Sequence, residues 1–201
     1  MCRLFVSLSL VILTALLTVG APSPALAQGE AITSTTTDNF RFVYRERYLP
    51  VIRPVLDHAE EAHARLVERL GAPEETPVIE VRFARNVEEM RRLCPRQPPG
   101  WADAVAFSPE NLIVISLTSN HHRPVSLETV FRHELSHIVL RWIVGEARVP
   151  RWFNEGLAIV ESGEQPYERF KQLWPGTAGG RPRRLRELDN DFPDREFEAN
   201  R

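Results

Sequence analysis

The segment SLETVFRHELSHIVLRWIVGEARVPRWFNEGLA, residues 126–158, decides the fold. Ser126 is a favourable helix N-cap and Gly145 suits a helix C-terminus, so we expect one helix between them. Proline is tolerated in the first turn of a helix, so a second helix is predicted to begin near Pro150 and to include 152–160. Apolar residues recur along the first helix at spacings that give it a buried face: Val130, Phe131, Leu135, Ile138, Val139, Trp142 and Ile143.

The residues before this helix pair alternate between strand and helix patterns. Period-two alternation of aromatic and β-branched residues indicates strands, and apolar residues three and four apart indicate helices. This alternation predicts an α+β fold, a small mixed sheet with helices packed on it. The predicted elements are a strand at 40–44, a helix at 52–70, a strand at 78–83, a short helix between Asn86 and Pro95, and strands at 102–107 and 112–117.

The N-terminus has the three parts of a secretory signal peptide. Arg3 precedes an apolar run at 4–19, and the small-residue triplet Ala25-Leu26-Ala27 predicts cleavage after Ala27. A retained membrane anchor is the alternative, but serine and threonine interrupt the run, which is too short to cross a bilayer. We therefore expect a secreted or periplasmic protein with no stable membrane anchor, and we interpret the Ser/Thr-rich residues 28–38 as a flexible lead.

Composition excludes several classes of protein. The chain has 201 residues, 43% of them hydrophobic, which is enough for one domain with a core at 39–201. Its 25 basic residues are balanced by 27 acidic ones, so the positive surface of a nucleic-acid-binding protein is not expected. The two cysteines, Cys2 and Cys94, cannot build a disulfide framework, because Cys2 lies in the predicted signal peptide.

The pentapeptide His133-Glu134-Leu135-Ser136-His137 carries metal chemistry. Residues four apart on a helix lie one turn above each other, so both imidazoles can reach one ion. Glu134 projects to the side, where a carboxylate can take a proton from an attacking water. This pattern predicts a site for one Zn²⁺ ion with Glu134 as general base, and two merely structural histidines are the alternative.

A third ligand is required, because catalytic zinc sites usually have three protein ligands. No histidine follows His137 in the sequence, so a later ligand must be a carboxylate. Glu155 lies 18 positions after His137, on the second predicted helix. If the two helices pack antiparallel through a loop near Gly145, Glu155 comes beside the two histidines.

The pentapeptide HELSH followed by WFNEGLA at 152–158 resembles the gluzincin metallopeptidases. The resemblance covers about residues 105–160 and is strongest to aminopeptidase-N-like enzymes and bacterial peptidase MA-like domains. It implies a zincin-like arrangement, in which a metal-binding helix pair follows an apolar strand. By position it implies that His133, His137 and Glu155 are zinc ligands, that Glu134 is the general base, and that Asn154 supports a ligand.

Three features depart from these families. Ile159 stands four residues after Glu155, where thermolysin-like enzymes carry an aspartate, and this favours the aminopeptidase-like branch. Only Glu110-Asn111 resembles that branch's element for a free N-terminus, and we interpret this pair as turn residues. The chain ends 46 residues after Glu155, so we expect an incomplete C-terminal part. Tyr167 is a weak candidate for stabilising an oxyanion, and three arginines are weaker ones: Arg183, Arg184 and Arg186.

The resemblance implies a zinc metallopeptidase acting on a peptide or protein substrate. By analogy, the strand at 112–117 is expected to pair with an extended substrate. Two alternatives stay open at this point. One is a catalytically silent, zinc-stabilised binding module of the same fold, and the other is a zinc hydrolase that acts on a bond other than the peptide bond.

Overall fold

The computed structural model describes residues 31–100, 102–118 and 125–163. The predicted signal peptide at 1–27 lies outside these ranges, as do Tyr167 and the arginines at 183–186. Within these ranges, five strands and four α-helices form an α+β fold, as predicted. They are β1 (Ile32–Thr36), β2 (Phe40–Arg45), α1 (Leu49–Leu70), β3 (Ile79–Ala84), α2 (Val87–Leu93), β4 (Ala104–Phe107), β5 (Leu112–Ser116), α3 (Leu127–Val144) and α4 (Arg151–Ser162).

Three helix termini lie where the sequence predicts them. The side-chain oxygen of Asn86 accepts a hydrogen bond from the Glu89 backbone N–H at 2.9 Å, which caps α2. Ser126 Oγ accepts from the Thr129 N–H at 3.1 Å and caps α3 in the same way. Gly71 ends α1 with a φ of 69°, a left-handed conformation that glycine adopts without strain. The predicted starts of α2 and α3 and the predicted end of α1 are therefore confirmed, while α1 begins at Leu49, three residues before its predicted start.

The prediction that 28–38 forms a flexible lead is wrong for Ile32–Thr36. These residues form β1, which pairs antiparallel with β2 in the register Thr35 to Phe42. The Thr35 hydroxyl also lies 2.7 Å from the Tyr44 hydroxyl, within hydrogen-bonding distance. Backbone pairing with β2 holds this strand, and its own side chains are half-buried or exposed. The sequence of β1 therefore has no alternating hydrophobic pattern that would predict a strand, although threonine itself favours strands.

The sheet has the strand order β1-β2-β3-β5-β4. Strands β2, β3 and β5 run parallel, and the two end strands are antiparallel to their neighbours. Because β5 pairs with β3 on one side and β4 on the other, its edges are both occupied. The expectation that 112–117 pairs with an extended substrate is therefore wrong, and β4 is the strand at that end of the sheet.

Helices cover both faces of the sheet. Helices α1 and α3 pack on one face, where Phe40, Phe42 and Ile113 are fully buried. The short helix α2 packs on the other face, against a smaller cluster that includes Met90 and Val114. Among the described residues, no helix combines the length and the apolar character needed to cross a membrane. The strand β5 is buried along its whole length and lies just before helix α3 in the chain.

Candidate metal centre

Helix α4 folds back along α3 and brings the predicted ligands together. Near the start of α3, the Arg132 guanidinium donates from Nε to the Ser162 carbonyl oxygen at the end of α4, at 3.0 Å. One turn further along α3, His137 contacts Asn154 at the start of α4. The two helices therefore run antiparallel, as the ligand spacing requires.

Ligand atoms of His133, His137 and Glu155 all lie within 4.8 Å of one another. His133 Nε2 is 3.7 Å from Glu155 Oε2. The two imidazole rings meet edge to face, with centroids 5.0 Å apart. The structure therefore brings together all three residues that the sequence singled out as ligands.

These three residues fit a zinc ion by geometry and by chemistry. Zinc ligands at about 2.0–2.1 Å in a tetrahedral arrangement lie about 3.4 Å from each other. The His133 to Glu155 separation of 3.7 Å is close to that spacing. Two imidazoles and one carboxylate are also donors that suit zinc. The side chains of His133 and Glu155 keep 16% and 29% of their surface exposed, so solvent reaches the cluster.

Asn154 fixes the orientation of the His137 ring. His137 Nδ1 lies 2.9 Å from the Asn154 side-chain oxygen. Because an amide oxygen can only accept, Nδ1 carries the proton and donates it, which leaves the lone pair on Nε2. This contact leaves Nε2 of His137 available to a metal ion, and it is the kind of contact that the resemblance implies for Asn154.

Glu134 lies beside the cluster and is buried. Burial raises the pKa of its carboxyl above the ordinary value, and the nearby negative charge of Glu155 acts in the same direction. His133, His137 and a hydrogen bond from the Ala106 backbone act against this shift, but the pKa stays raised. A glutamate with a raised pKa is better matched to proton transfer near neutral pH than an ordinary one.

Glu155 has the opposite electrostatic character. Burial by itself would raise its pKa, but a hydrogen bond with His133 lowers it, as do the charges of His137, His133 and Arg151. The net result is a pKa below the ordinary value. The two carboxyls therefore differ in the way that their expected roles require, since Glu155 stays ionised as a ligand while Glu134 takes up a proton more readily.

Comparison with known proteins adds no assignment. No protein-family model matches the chain, and no curated protein matches it. Any function assigned to this chain therefore depends on the positions of its own residues.

Sequence reasoning missed the contacts made by the turn between β4 and β5. Ser108 Oγ donates to the His137 backbone carbonyl at 3.1 Å, and Trp142 Nε1 donates to the Asn111 side-chain oxygen at 2.8 Å. Glu110 pairs with Arg96, so Glu110 and Asn111 act as turn residues, as predicted. An asparagine in a turn can indicate a left-handed conformation from the sequence alone, as Asn111 adopts. The sequence does not indicate that its side chain contacts Trp142 on α3.

Proposed function

We propose that this protein is a zinc-dependent metallopeptidase of the gluzincin type. The observation that carries the proposal is the convergence of the His133, His137 and Glu155 ligand atoms beside the buried Glu134 carboxyl. A cluster of two imidazoles and one ionised carboxylate would hold one Zn²⁺ ion, and the zincin-like arrangement of the helix pair is part of the proposal.

Each residue has a distinct part in the proposed reaction. Zinc held by the three ligands would polarise the substrate carbonyl and make water a stronger nucleophile. Glu134 accepts the proton of the attacking water and then passes it to the departing amine. Its buried position and raised pKa support this role, because a base works best when its pKa lies near the operating pH.

The substrate would be a peptide or protein in extended form. It would add to the outer edge of β4, since both edges of β5 are occupied. Helix α3 contacts β4, so a peptide on this edge would lie near Glu134. A secreted or periplasmic location, without a stable membrane anchor and without a nucleic-acid partner, completes the proposal.

Glu134→Gln tests the general base directly. This substitution removes the proton acceptor and changes no proposed ligand, so hydrolysis should fall by roughly 10²- to 10⁴-fold while zinc stays bound. The measurements are cleavage of a mixed peptide library and the zinc content of the purified chain. Glu161→Gln is the matched control, because Glu161 lies on α4 and pairs with Arg69 instead of the cluster.

Three results would contradict the proposal. A wild-type chain that holds no zinc would remove the metal centre. One tightly held zinc per chain with no cleavage of any peptide would remove the peptidase activity and favour the silent binding module. Full activity in Glu134→Gln would mean that another group is the base.

A further inference from the structure

We propose that the turn between β4 and β5 sets the position of the metal-binding helix α3, with Ser108 and Asn111 as positioning residues. The inference rests on the proposed function, because it concerns how accurately the zinc ligands and the base are held. It adds two residues that carry no chemistry of their own and that lie far from the ligands in sequence.

The strand β4 and the turn after it contact α3 through three hydrogen bonds. The Ala106 backbone forms a hydrogen bond with the Glu134 carboxyl. Ser108 Oγ donates to the His137 carbonyl oxygen at 3.1 Å. Asn111 then accepts from Trp142 Nε1 at 2.8 Å. The contacts advance along both segments in the same direction, so this stretch of chain lies alongside the helix.

The spacing of these contacts restricts the helix in two ways. His137 and Trp142 are five residues apart, which is about 7.5 Å along a helix axis. Core packing already holds α3 through its buried apolar residues, and two polar contacts this far apart add directional resistance to sliding and rotation. Ser108 acts on the backbone of His137 itself, whose side chain is a proposed ligand.

The backbone of Asn111 suits it to this role. With φ of 48° and ψ of 44° it adopts the left-handed conformation, which asparagine tolerates better than most residues. This conformation ends the turn, and β5 begins at the next residue. Its partner Trp142 is held on another side by the buried His63 ring, with centroids 5.9 Å apart. The turn is therefore connected through Trp142 to α1 as well as to α3.

The expected consequence is a loss of accuracy at the centre, not a loss of fold. A misplacement of about 1 Å can cost roughly 100-fold in the rate of an enzyme reaction. Residues that support metal ligands typically change metal affinity by about 10- to 100-fold. We expect a similar effect at Ser108, although it holds a ligand's backbone and not its ring.

The test uses the full chain and two variants that remove one hydrogen bond each. Ser108→Ala removes the donor to His137, and Trp142→Phe removes the donor to Asn111 while keeping an aromatic ring. Zinc affinity is measured by competition with a chelator, and the site's geometry by the visible spectrum of the Co²⁺-loaded protein. We expect zinc to bind roughly 10-fold more weakly in each variant, with a changed Co²⁺ spectrum.

Conservative variants and a distant control separate positioning from stability. Ser108→Thr keeps a hydroxyl donor and Asn111→Asp keeps an oxygen acceptor, so both should keep the wild-type zinc affinity and Co²⁺ spectrum. Asn86→Ala removes the cap of α2, which packs on the opposite face of the sheet. Asn86→Ala should lower the unfolding free energy, because α2 loses its cap, and it should leave metal binding unchanged.

The outcomes distinguish this inference from the proposed function. A wild-type chain that binds neither zinc nor cobalt would overturn the proposed function. Normal binding by the wild type, with the same affinity and spectrum in Ser108→Ala and Trp142→Phe, would overturn the positioning role alone. A loss of zinc affinity no larger than the loss in Asn86→Ala would also overturn the positioning role. If Ser108→Ala does not fold, the Trp142→Phe result decides.

Discussion

At the scale of single residues, Asn154 is the residue that most directly orients a proposed zinc ligand, His137. Its side-chain oxygen contacts Nδ1 of His137, which leaves Nε2 as the nitrogen available to the proposed zinc ion. We predict that Asn154→Ala weakens zinc binding by about 10- to 100-fold, because the ring loses its fixed tautomer and orientation. Competition with a chelator measures the change.

Asn154→Asp is the matched control, because an aspartate still accepts the hydrogen bond from His137 Nδ1. It should bind zinc at least as tightly as the wild type. Equal zinc affinity in the alanine variant would show that other contacts orient the His137 ring.

Glu60 is a second residue whose environment allows a sharp prediction. Its carboxylate accepts hydrogen bonds from the Thr37 hydroxyl at 2.5 Å, the Asn39 N–H at 2.9 Å and the Asn39 side-chain amide at 2.7 Å. Burial alone would raise its pKa, but these hydrogen bonds lower it below the ordinary value. Folding is therefore linked to pH through this carboxyl.

The sign of that linkage follows from the lowered pKa. The stabilising effect of Glu60 is fully present above its unfolded pKa and is lost as the pH falls through the folded pKa. Glu60→Gln should therefore cost about 1–2 kcal/mol of unfolding free energy at neutral pH and progressively less below about pH 4. Urea unfolding at several pH values measures this difference, and a constant difference would exclude the linkage.

At the scale of elements, Gly156 is a weak point in α4. A glycine inside a helix costs about 0.5–1 kcal/mol relative to alanine, and a Cβ added here would meet no atom within 4 Å. Gly156→Ala should therefore raise the unfolding free energy by about that amount and leave zinc affinity unchanged. Chemical denaturation of the metal-free chain measures it.

Gly145 provides the contrasting variant. It ends α3 with φ of 57° and ψ of −127°. Glycine adopts this conformation readily, whereas any residue with a Cβ atom is strained in it. Gly145→Ala also meets no nearby atom, so any loss of stability comes from the backbone alone. We therefore expect Gly156→Ala to raise the unfolding free energy and Gly145→Ala to lower it. Equal changes would contradict the different backbone roles of the two glycines.

Most elements could be predicted because their signals are local. The helices α2 and α3 have side-chain caps in the sequence, and β2 shows its buried face through alternating aromatic residues. Strand β1 has no such pattern, because it is a strand only through its hydrogen bonds to β2. The interior position of β5 depends on pairing with the distant β3, and local periodicity does not specify strand order.

The same distinction applies to the candidate site. His133, Glu134 and His137 lie within two turns of one helix, and Glu155 lies on the next, so sequence spacing was enough to place them together. Ser108 reaches the same helix across 29 positions and leaves no pattern in the sequence. Ligand types can be recognised from local spacing, whereas the contacts that hold them depend on tertiary packing.

At the scale of the whole molecule, metal binding and stability should be coupled. The proposed ligands come from two helices, so an ion that binds only the folded chain also stabilises the packing of α3 against α4. We predict a stabilisation of about 4 kcal/mol when free zinc exceeds its dissociation constant a thousandfold. Thermal unfolding with and without a chelator measures this effect.

Glu155→Gln provides the control for this coupling. It removes one proposed ligand but keeps the size of the side chain, so its unfolding temperature should respond much less to zinc. An equal response in the variant would place the stabilising ion elsewhere.

The sheet and the helix pair make different demands on folding. The parallel pairings of β2 with β3 and of β3 with β5 join strands that are separated in the chain by α1 and by α2 with β4. Helices α3 and α4, by contrast, are consecutive, and only a short connection closes the contact between them. Because contacts between distant segments form slowly, we expect sheet assembly to limit the folding rate, and the proposed zinc ion would bind only after this slow step has fixed α3 against α4.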